Sequence, residues 1–182
     1  YSPNLINAAT TTDNIRLTTT GNTTLTGNRD INALAMVVSG ATNLDLGGFT
    51  LNVRSGGLIA SNASNNTAIS ILNGNLTSGT LNNASDLYIH SLGYTNGETD
   101  VVNRDVLISA NIVNNGTGAV TLVLNGDDGR GTGLGGLLSG QSTNLTGNNT
   151  YTGGTFVNAG RIILNNPNAD GTTVFATGTG NL

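Results

Sequence analysis

The 182-residue chain contains no lysine, cysteine or tryptophan, and it has only two prolines and one histidine. Without cysteine, neither a disulfide framework nor a thiolate metal site can form, so stability has to come from hydrogen bonds and packing. Charged residues supply only 9% of the chain, and its six basic residues are all arginine, scattered singly, at a net charge of −4. Because no basic patch is present, we expect no nucleic-acid binding.

Long apolar runs are also missing from the sequence. No stretch of about 18 apolar residues occurs, so we expect no direct membrane insertion of this segment. The first residues, YSPNLINAATTT, do not show the charged and then apolar regions of a signal peptide. We expect that any such peptide has been removed or lies outside this chain.

Asparagine, threonine and glycine dominate what is present and supply 84 of the 182 residues. Disorder is not expected, because 36% of the residues are hydrophobic and the charge is low. The apolar residues form short clusters separated by Asn, Gly and Thr, which is typical of short strands joined by tight turns. The best helical candidate, residues 31–38, is short and ends in a β-branched pair, so we interpret it as a strand.

Short clusters of alternating apolar and polar residues predict the strands. They include residues 44–46, 51–53, 69–71, 87–89, 106–108 and 122–124. The clusters that begin at Leu44, Leu51 and Leu58 lie seven residues apart. This spacing fits either two-residue hairpins or the three faces of a coil.

A longer period favours the coil. Similar clusters begin at Leu44, Ile69, Leu87 and Val106, an irregular period of about 20 residues that lies in the range of solenoid repeats. Three strands make one coil of that length, and stacked coils place equivalent strands in parallel, about 4.8 Å apart. We therefore expect an all-β parallel β-helix of roughly eight or nine coils, on the order of 40 Å long.

Glycine and asparagine have a physical role in such a coil. Each corner needs a bend within one or two residues, often with a positive φ that Gly adopts freely and Asn tolerates. Asn side chains at equivalent corners can hydrogen-bond along the rod as ladders, and Thr suits outward strand positions. The composition therefore favours a β-solenoid over a β-sandwich.

One segment near the C-terminal end carries a specific motif. Residues 144–166 read NLTGNNTYTGGTFVNAGRIILNN and closely resemble the passenger-associated repeat of bacterial autotransporters. The matching residues are Gly147, Asn148, Asn149, Thr150, Tyr151, Thr152, Gly153, Gly154, Thr155, Val157, Gly160 and Leu164. The resemblance covers roughly residues 40–180. It implies a secreted passenger region folded as a right-handed parallel β-helix, in a protein that often also carries an outer-membrane barrel.

The chain departs from this family in limited ways. Only 4% of its residues are aromatic and alternating ten-residue strands are lacking, so we do not expect it to be the barrel itself. Residues 1–40 match the pattern poorly, and we expect N-terminal strands or an irregular cap there, with coils over residues 41–182. Arg161 stands where a small or polar residue is commoner, which changes little at an outward position.

The C-terminal residues ADGTTVFATGTGNL begin a further coil and stop partway through it. An open β-helix end exposes unpaired strand edges, which natural proteins cap or cover. Either the chain is a fragment of a longer protein, or another copy fills the open end. The second alternative predicts a filament subunit that self-associates head to tail.

The only histidine, His90, has Asp86 as its nearest acid in sequence. A general base would need an orienting carboxylate within hydrogen-bond distance. Residues 86 and 90 of one strand lie about 13 Å apart. We therefore interpret His90 as a structural residue.

The acidic residues do not form a catalytic pattern. They are Asp13, Asp30, Asp45, Asp86, Glu98, Asp100, Asp105, Asp127, Asp128 and Asp170. Polysaccharide-cleaving β-helices place several acids on one face, whereas eight of these ten stand singly in the sequence and half lie beside Asn or Gly, where Asp caps turns. We expect no enzyme activity, no catalytic residue and no cofactor.

Two other binding sites are also disfavoured. Residues 125–136 (NGDDGRGTGLGG) contain an acidic pair flanked by glycine, as calcium-binding solenoid loops do. The segment does not repeat and lacks the lysine of a phosphate loop, so a surface loop is favoured over a metal or nucleotide site. The threonines of residues 10–27 are too unevenly spaced for an ice-binding face.

These observations predict a structural, non-catalytic β-helix that is secreted or displayed on a bacterial cell surface. It would be released, or anchored in the outer membrane through a region not present here. Adhesion to a host surface or glycan, or a display scaffold, is the favoured function. A filament built through open β-helix ends is the alternative.

Overall fold

The computed structural model describes residues 2–3, 5–62, 68–93, 106–126 and 142–164. Three parallel sheets account for all the strands of these ranges. Sheet A contains β1 (Ser2–Pro3), β2 (Asn14–Leu17), β5 (Ala33–Val38), β8 (Gly57–Asn62), β11 (Ser85–Gly93), β14 (Val120–Gly126) and β16 (Thr155–Ala159). Sheet B contains β3 (Gly21–Thr24), β6 (Thr42–Asp45), β9 (Ile69–Leu72), β12 (Val106–Ile108), β15 (Ser142–Leu145) and β17 (Arg161–Leu164). Sheet C contains β4 (Arg29–Ile31), β7 (Thr50–Val53), β10 (Asn75–Ser78) and β13 (Asn111–Ile112).

Successive strands pass from sheet A to sheet B to sheet C and then return to sheet A one level on. Leu44 lies in sheet B, Leu51 in sheet C and Leu58 in sheet A. The seven-residue spacing therefore comes from the three faces of a coil, and the hairpin alternative is wrong at these positions. The predicted parallel β-helix is confirmed, and a right-handed crossover is the hand expected for such connections.

Inward side chains from the three sheets form one apolar core. In sheet A, five of them stack in register from one coil to the next: Ile15, Leu34, Leu58, Ile89 and Leu124. Each is at most 3% exposed, and full burial of such a side chain contributes about 1.5–3 kcal/mol. The strand predicted within residues 31–38 is confirmed, since β5 turns alternate side chains into this core.

Coil length differs from the predicted period of about 20 residues. Asn14 pairs with Ala33, 19 residues on, whereas Val106 pairs with Thr143, 37 residues on. The clusters at Leu44 and Val106 lie in sheet B but Leu87 lies in sheet A, so the predicted period combined two different faces. Sheet A has seven strands in the described ranges, which corresponds to about 29 Å of stacking.

The extra residues of the longer coils lie mainly between sheets A and B. Three residues connect β2 to β3 and three connect β5 to β6, whereas 94–105 connects β11 to β12 and 127–141 connects β14 to β15. The strands on both sides of residues 94–105 keep the register of the shorter coils. The stack therefore accommodates long connections at this edge without a change in pairing.

We expect that the 94–105 connection can be replaced by the sequence of residues 39–41 without loss of the fold. The three-residue connection already joins equivalent positions two levels away, and shortening a loop fourfold lowers its closure cost by about 1 kcal/mol. Thermal unfolding followed by circular dichroism should give an unchanged or higher midpoint. A lower midpoint would contradict this expectation.

Asparagine side chains connect neighbouring coils, although the two pairs below do not lie at equivalent corners as expected. The Asn43 amide donates to Asn22 Oδ1 at 2.8 Å, and the Asn32 amide donates to Asn14 Oδ1 at 2.7 Å. Corner residues also adopt the left-handed backbone, with φ of 54° at Asn73. Both uses of asparagine follow from its short amide, which reaches adjacent backbone and side-chain groups.

Residues 2–3 and 5–9 cover the N-terminal end of the described stack. Ile6 is 1% exposed and belongs to the core. The Asn7 side chain donates to the Thr24 carbonyl at 2.8 Å and accepts from the backbone N–H of Thr26 at 2.9 Å. It thereby provides hydrogen-bond partners for backbone groups at the edge of sheet B that β3 forms. From β2 onward, residues 14–38 already contribute regular strands to all three sheets.

Candidate functional site

The repeat at 144–166 closes a coil where sheet C has no further strand in the described part of the chain. Tyr151 is fully buried in the core, and its hydroxyl lies 2.6 Å from Thr155 Oγ1. Burial disfavours the phenolate and raises the pKa of Tyr151 to about 12, opposed by the smaller effect of the Thr155 hydrogen bond. The aromatic residue of the motif is therefore a core residue and not a surface contact.

Asn148 and Asn149 of the repeat hydrogen-bond to β13, where a further strand of sheet C would otherwise pair. Asn149 is 2% exposed, and its Oδ1 accepts from the Ile112 amide at 2.7 Å. The backbone N–H of Asn148 donates to Asn111 Oδ1 at 2.9 Å, and the backbone N–H of Thr150 donates to the Ile112 carbonyl at 2.9 Å. A buried amide without these partners would cost about 1–3 kcal/mol.

Two glycines of the repeat permit close contact with the coil below. A Cβ at Gly147 would overlap the Ala110 carbonyl oxygen and lie 2.8 Å from its carbon. A Cβ at Gly153 would lie 2.6 Å from the Val120 carbonyl oxygen. These glycines therefore allow the backbone of the repeat to pack directly against the preceding coil, so the motif has a structural role in the fold.

Tyr151 should make stability depend on alkaline pH. The unfolded phenol ionises near its ordinary pKa of 10.0, whereas the folded one does so near 12. This contribution is fully present below about pH 10 and is lost as the pH rises toward 12, because the unfolded state releases its proton first. In urea titrations over this range, Tyr151→Phe should show a shallower loss of unfolding free energy than the wild type. Equal slopes would contradict the assignment.

His90 lies on the outer face of sheet A and does not form a catalytic pair with Asp86. It is half-buried, opposite Ile59 on one side and Asn125 on the other. Asp86 instead accepts a hydrogen bond from the Tyr88 hydroxyl at 2.8 Å. That bond and the negative charge of Asp86 raise the pKa of Tyr88.

The acids that the structure describes are engaged in turns or pairs. Asp13 accepts from the Thr10 amide, which is the main cause of its lowered pKa, and from the Thr10 hydroxyl. Asp45 caps a turn through the Gly47 amide, and Asp30 pairs with Arg54 at 3.1 Å. Within the described ranges, no three His, Asp or Glu side chains are grouped as for a metal.

Several predicted positions fall where no structure is described. The acids Glu98, Asp100, Asp105, Asp127, Asp128 and Asp170 lie outside the described residues. So does the 125–136 segment apart from Asn125 and Gly126. In the Thr-rich stretch, Thr23 pairs with Leu44 and Thr24 with Asp45, so these strands do not form a regular threonine face.

The outer face of sheet A carries a feature that the sequence did not reveal. Tyr88, Val123 and Phe156 are paired in register on β11, β14 and β16 and form an aromatic column. Tyr88 is 37% exposed and Phe156 is 59% exposed, whereas Val123 between them is 8% exposed. The alternation of each strand marks these positions as outward, but only the register brings residues so distant in sequence together.

Polar side chains flank the aromatic column on both sides. Thr121 and Asp86 are paired on one side, and Asn125 and His90 on the other. The Asn158 amide donates to Asn125 Oδ1 at 3.1 Å, next to a shift in the β14–β16 register. The face therefore combines an apolar strip with hydroxyl, amide and imidazole groups, and Asp86 is its only acid within the described strands of these three levels.

In the described part of the chain, no helix is long and apolar enough to cross a membrane. Comparisons of the chain with protein-family profiles, curated proteins and solved structures gave no match.

Proposed function

We propose that this chain is a non-catalytic β-helix of a secreted or cell-surface bacterial protein and that it presents its outer faces for adhesion or display. The observation that carries the proposal is the continuous stack, in which strands and Asn side chains connect every described coil to the next. Such a stack holds outward side chains at regular spacing on a scaffold built from repeated levels. The autotransporter resemblance at 144–166 supports the same role.

The described acids add to the case against catalysis. Asp13 and Asp45 cap turns, Asp30 pairs with Arg54, and Asp86 accepts from Tyr88. A polysaccharide lyase or hydrolase would need acids converging on one bond. We therefore favour binding over turnover.

Surface binding tests the proposal. The purified chain should bind to immobilised host-cell or glycan surfaces above the level of a variant in which exposed sheet residues are exchanged among themselves. Equal retention of both proteins would count against adhesion. Circular dichroism on both proteins would show whether the variant keeps its β-structure.

Head-to-tail stacking is less well supported as an alternative. Asn7 already occupies the edge beside β3, and Ile6 covers the core at that end. A second copy would have to displace these residues to extend the sheets. Concentration-dependent fibres in electron micrographs would revive the filament, and a monomer in light scattering at high concentration would exclude it.

A further inference from the structure

The aromatic column of sheet A has the geometry of a binding strip. Tyr88 and Phe156 lie two strands apart in register, which is about 9.6 Å at the usual strand spacing. Val123 lies between them and is largely covered. The strip therefore presents two rings on a continuous apolar base.

The Tyr88 ring is held in place. Its hydroxyl donates to the Asp86 carboxylate at 2.8 Å, two residues earlier on the same strand. A side chain that is already oriented loses less conformational entropy when a ligand binds. Tyr88 is thus arranged to contact a ligand without a change in the strand.

The groups beside the column can hydrogen-bond but carry little charge. Asn125 and Asn158 are joined at 3.1 Å, and the register shift places Ala159 opposite Asn125, which changes the direction of the strand at Asn158. On the other side, Thr121 offers a hydroxyl. The carboxylate of Asp86 accepts a hydrogen bond from Tyr88, and strands β11, β14 and β16 contain no Arg or Lys that could pair with an anionic polymer.

We propose that the aromatic column and its flanking amides bind a neutral polysaccharide. Sugar rings present apolar C–H faces and rims of hydroxyl groups, which match an aromatic strip between amide and hydroxyl side chains. The absence of Arg and Lys along these three strands matches an uncharged polymer better than an acidic one. This inference rests on the proposed adhesive function and names the ligand class of that surface.

Native gel electrophoresis in soluble polysaccharides tests the inference with the full chain. The neutral probes are xyloglucan, galactomannan and mixed-linkage β-glucan, and the anionic probe is polygalacturonate. We expect retardation by at least one neutral probe and none by polygalacturonate. Tyr88→Ala and Phe156→Ala should each weaken binding about fivefold to tenfold.

Two further variants separate ring recognition from general effects. Leu81→Ala removes another exposed apolar side chain, 64% exposed and located outside sheet A, and should leave retardation unchanged. Phe156→Leu keeps an apolar residue at the strip and should weaken binding nearly as much as alanine does. Circular dichroism should confirm that each variant keeps its β-structure.

Three results would overturn the inference. They are no retardation by any neutral probe at 1% (w/v), equal retardation of the wild type and both alanine variants, and binding of a protein partner through this face without any sugar binding. If the chain still adheres to surfaces while all neutral probes fail, only the ligand class is wrong. If adhesion also fails, the proposed function is wrong.

Discussion

Replacing Tyr151 by alanine is expected to lower the free energy of unfolding by about 3–5 kcal/mol, as truncation of a buried aromatic residue usually does. Tyr151 is fully buried and belongs to the core cluster. It fills the coil at a level where the neighbouring segment bonds through Asn149 instead of forming a further strand of sheet C. Removal of the ring leaves a cavity that rigid neighbouring coils cannot easily close.

Urea unfolding followed by circular dichroism measures this loss. Tyr151→Phe is the matched control, because it keeps the ring and removes only the hydroxyl that lies 2.6 Å from Thr155. We expect the phenylalanine variant to lose about 1 kcal/mol. A loss below about 1 kcal/mol for the alanine variant would contradict the core role of the motif tyrosine.

Replacing Gly147 by alanine is expected to destabilise the protein by about 1–3 kcal/mol through overpacking. The added Cβ would overlap the backbone carbonyl of Ala110, and Ser109 O would lie 3.1 Å away. Because these are main-chain atoms of the adjacent coil, a side-chain rotation cannot relieve the overlap. The two coils would have to separate locally, which also weakens the hydrogen bond from the Thr146 amide to Ile108.

Gly27→Ala provides the control for the glycine prediction. The nearest atom to a Cβ at Gly27 is the end of the Arg29 side chain, at 3.7 Å. We expect this substitution to change the midpoint of thermal unfolding by no more than about 2 °C. If Gly147→Ala is equally mild, close approach of the coils is not the reason for glycine in the repeat.

The sequence predicted the strand content and the three-faced coil well, because both depend on local patterns. Alternation at Leu51 and Leu58 marks strands, and the intervening glycines mark corners. Asn43 and Asn22 bond across neighbouring coils, but they lie in strands and the next residue of their column is Ser70, so this pair is not the corner ladder that was expected. The strands and corners depend on side-chain period and backbone preference, which neighbouring residues largely determine.

Coil length could not be derived in the same way. Leu87 resembles the cluster at Val106, yet the two lie in different sheets. Apolar alternation looks the same on every face, so it does not identify the sheet to which a strand belongs. Long connections such as 94–105 cost little closure entropy and leave no trace in the strand pattern.

For the repeat and the candidate surface, too, the sequence showed the pattern and only the structure showed the contacts. The motif at 144–166 was evident as a pattern, but only the structure shows that Tyr151 is buried and that Asn149 bonds Ile112. The aromatic column joins Tyr88 to Phe156 across 68 residues of sequence. No local pattern connects those two positions.

Composition and short-range periodicity alone therefore determined that the chain forms many short strands with Asn- and Gly-rich corners, whereas the longer period was needed to favour a coil over hairpins. Only the tertiary structure decided the register, the length of each coil and the side chains that meet on an outer face. The physical reason is that strand formation depends on nearby residues, whereas the register depends on pairing between strands that are distant in sequence. Inserted residues change that pairing distance without changing the strands themselves.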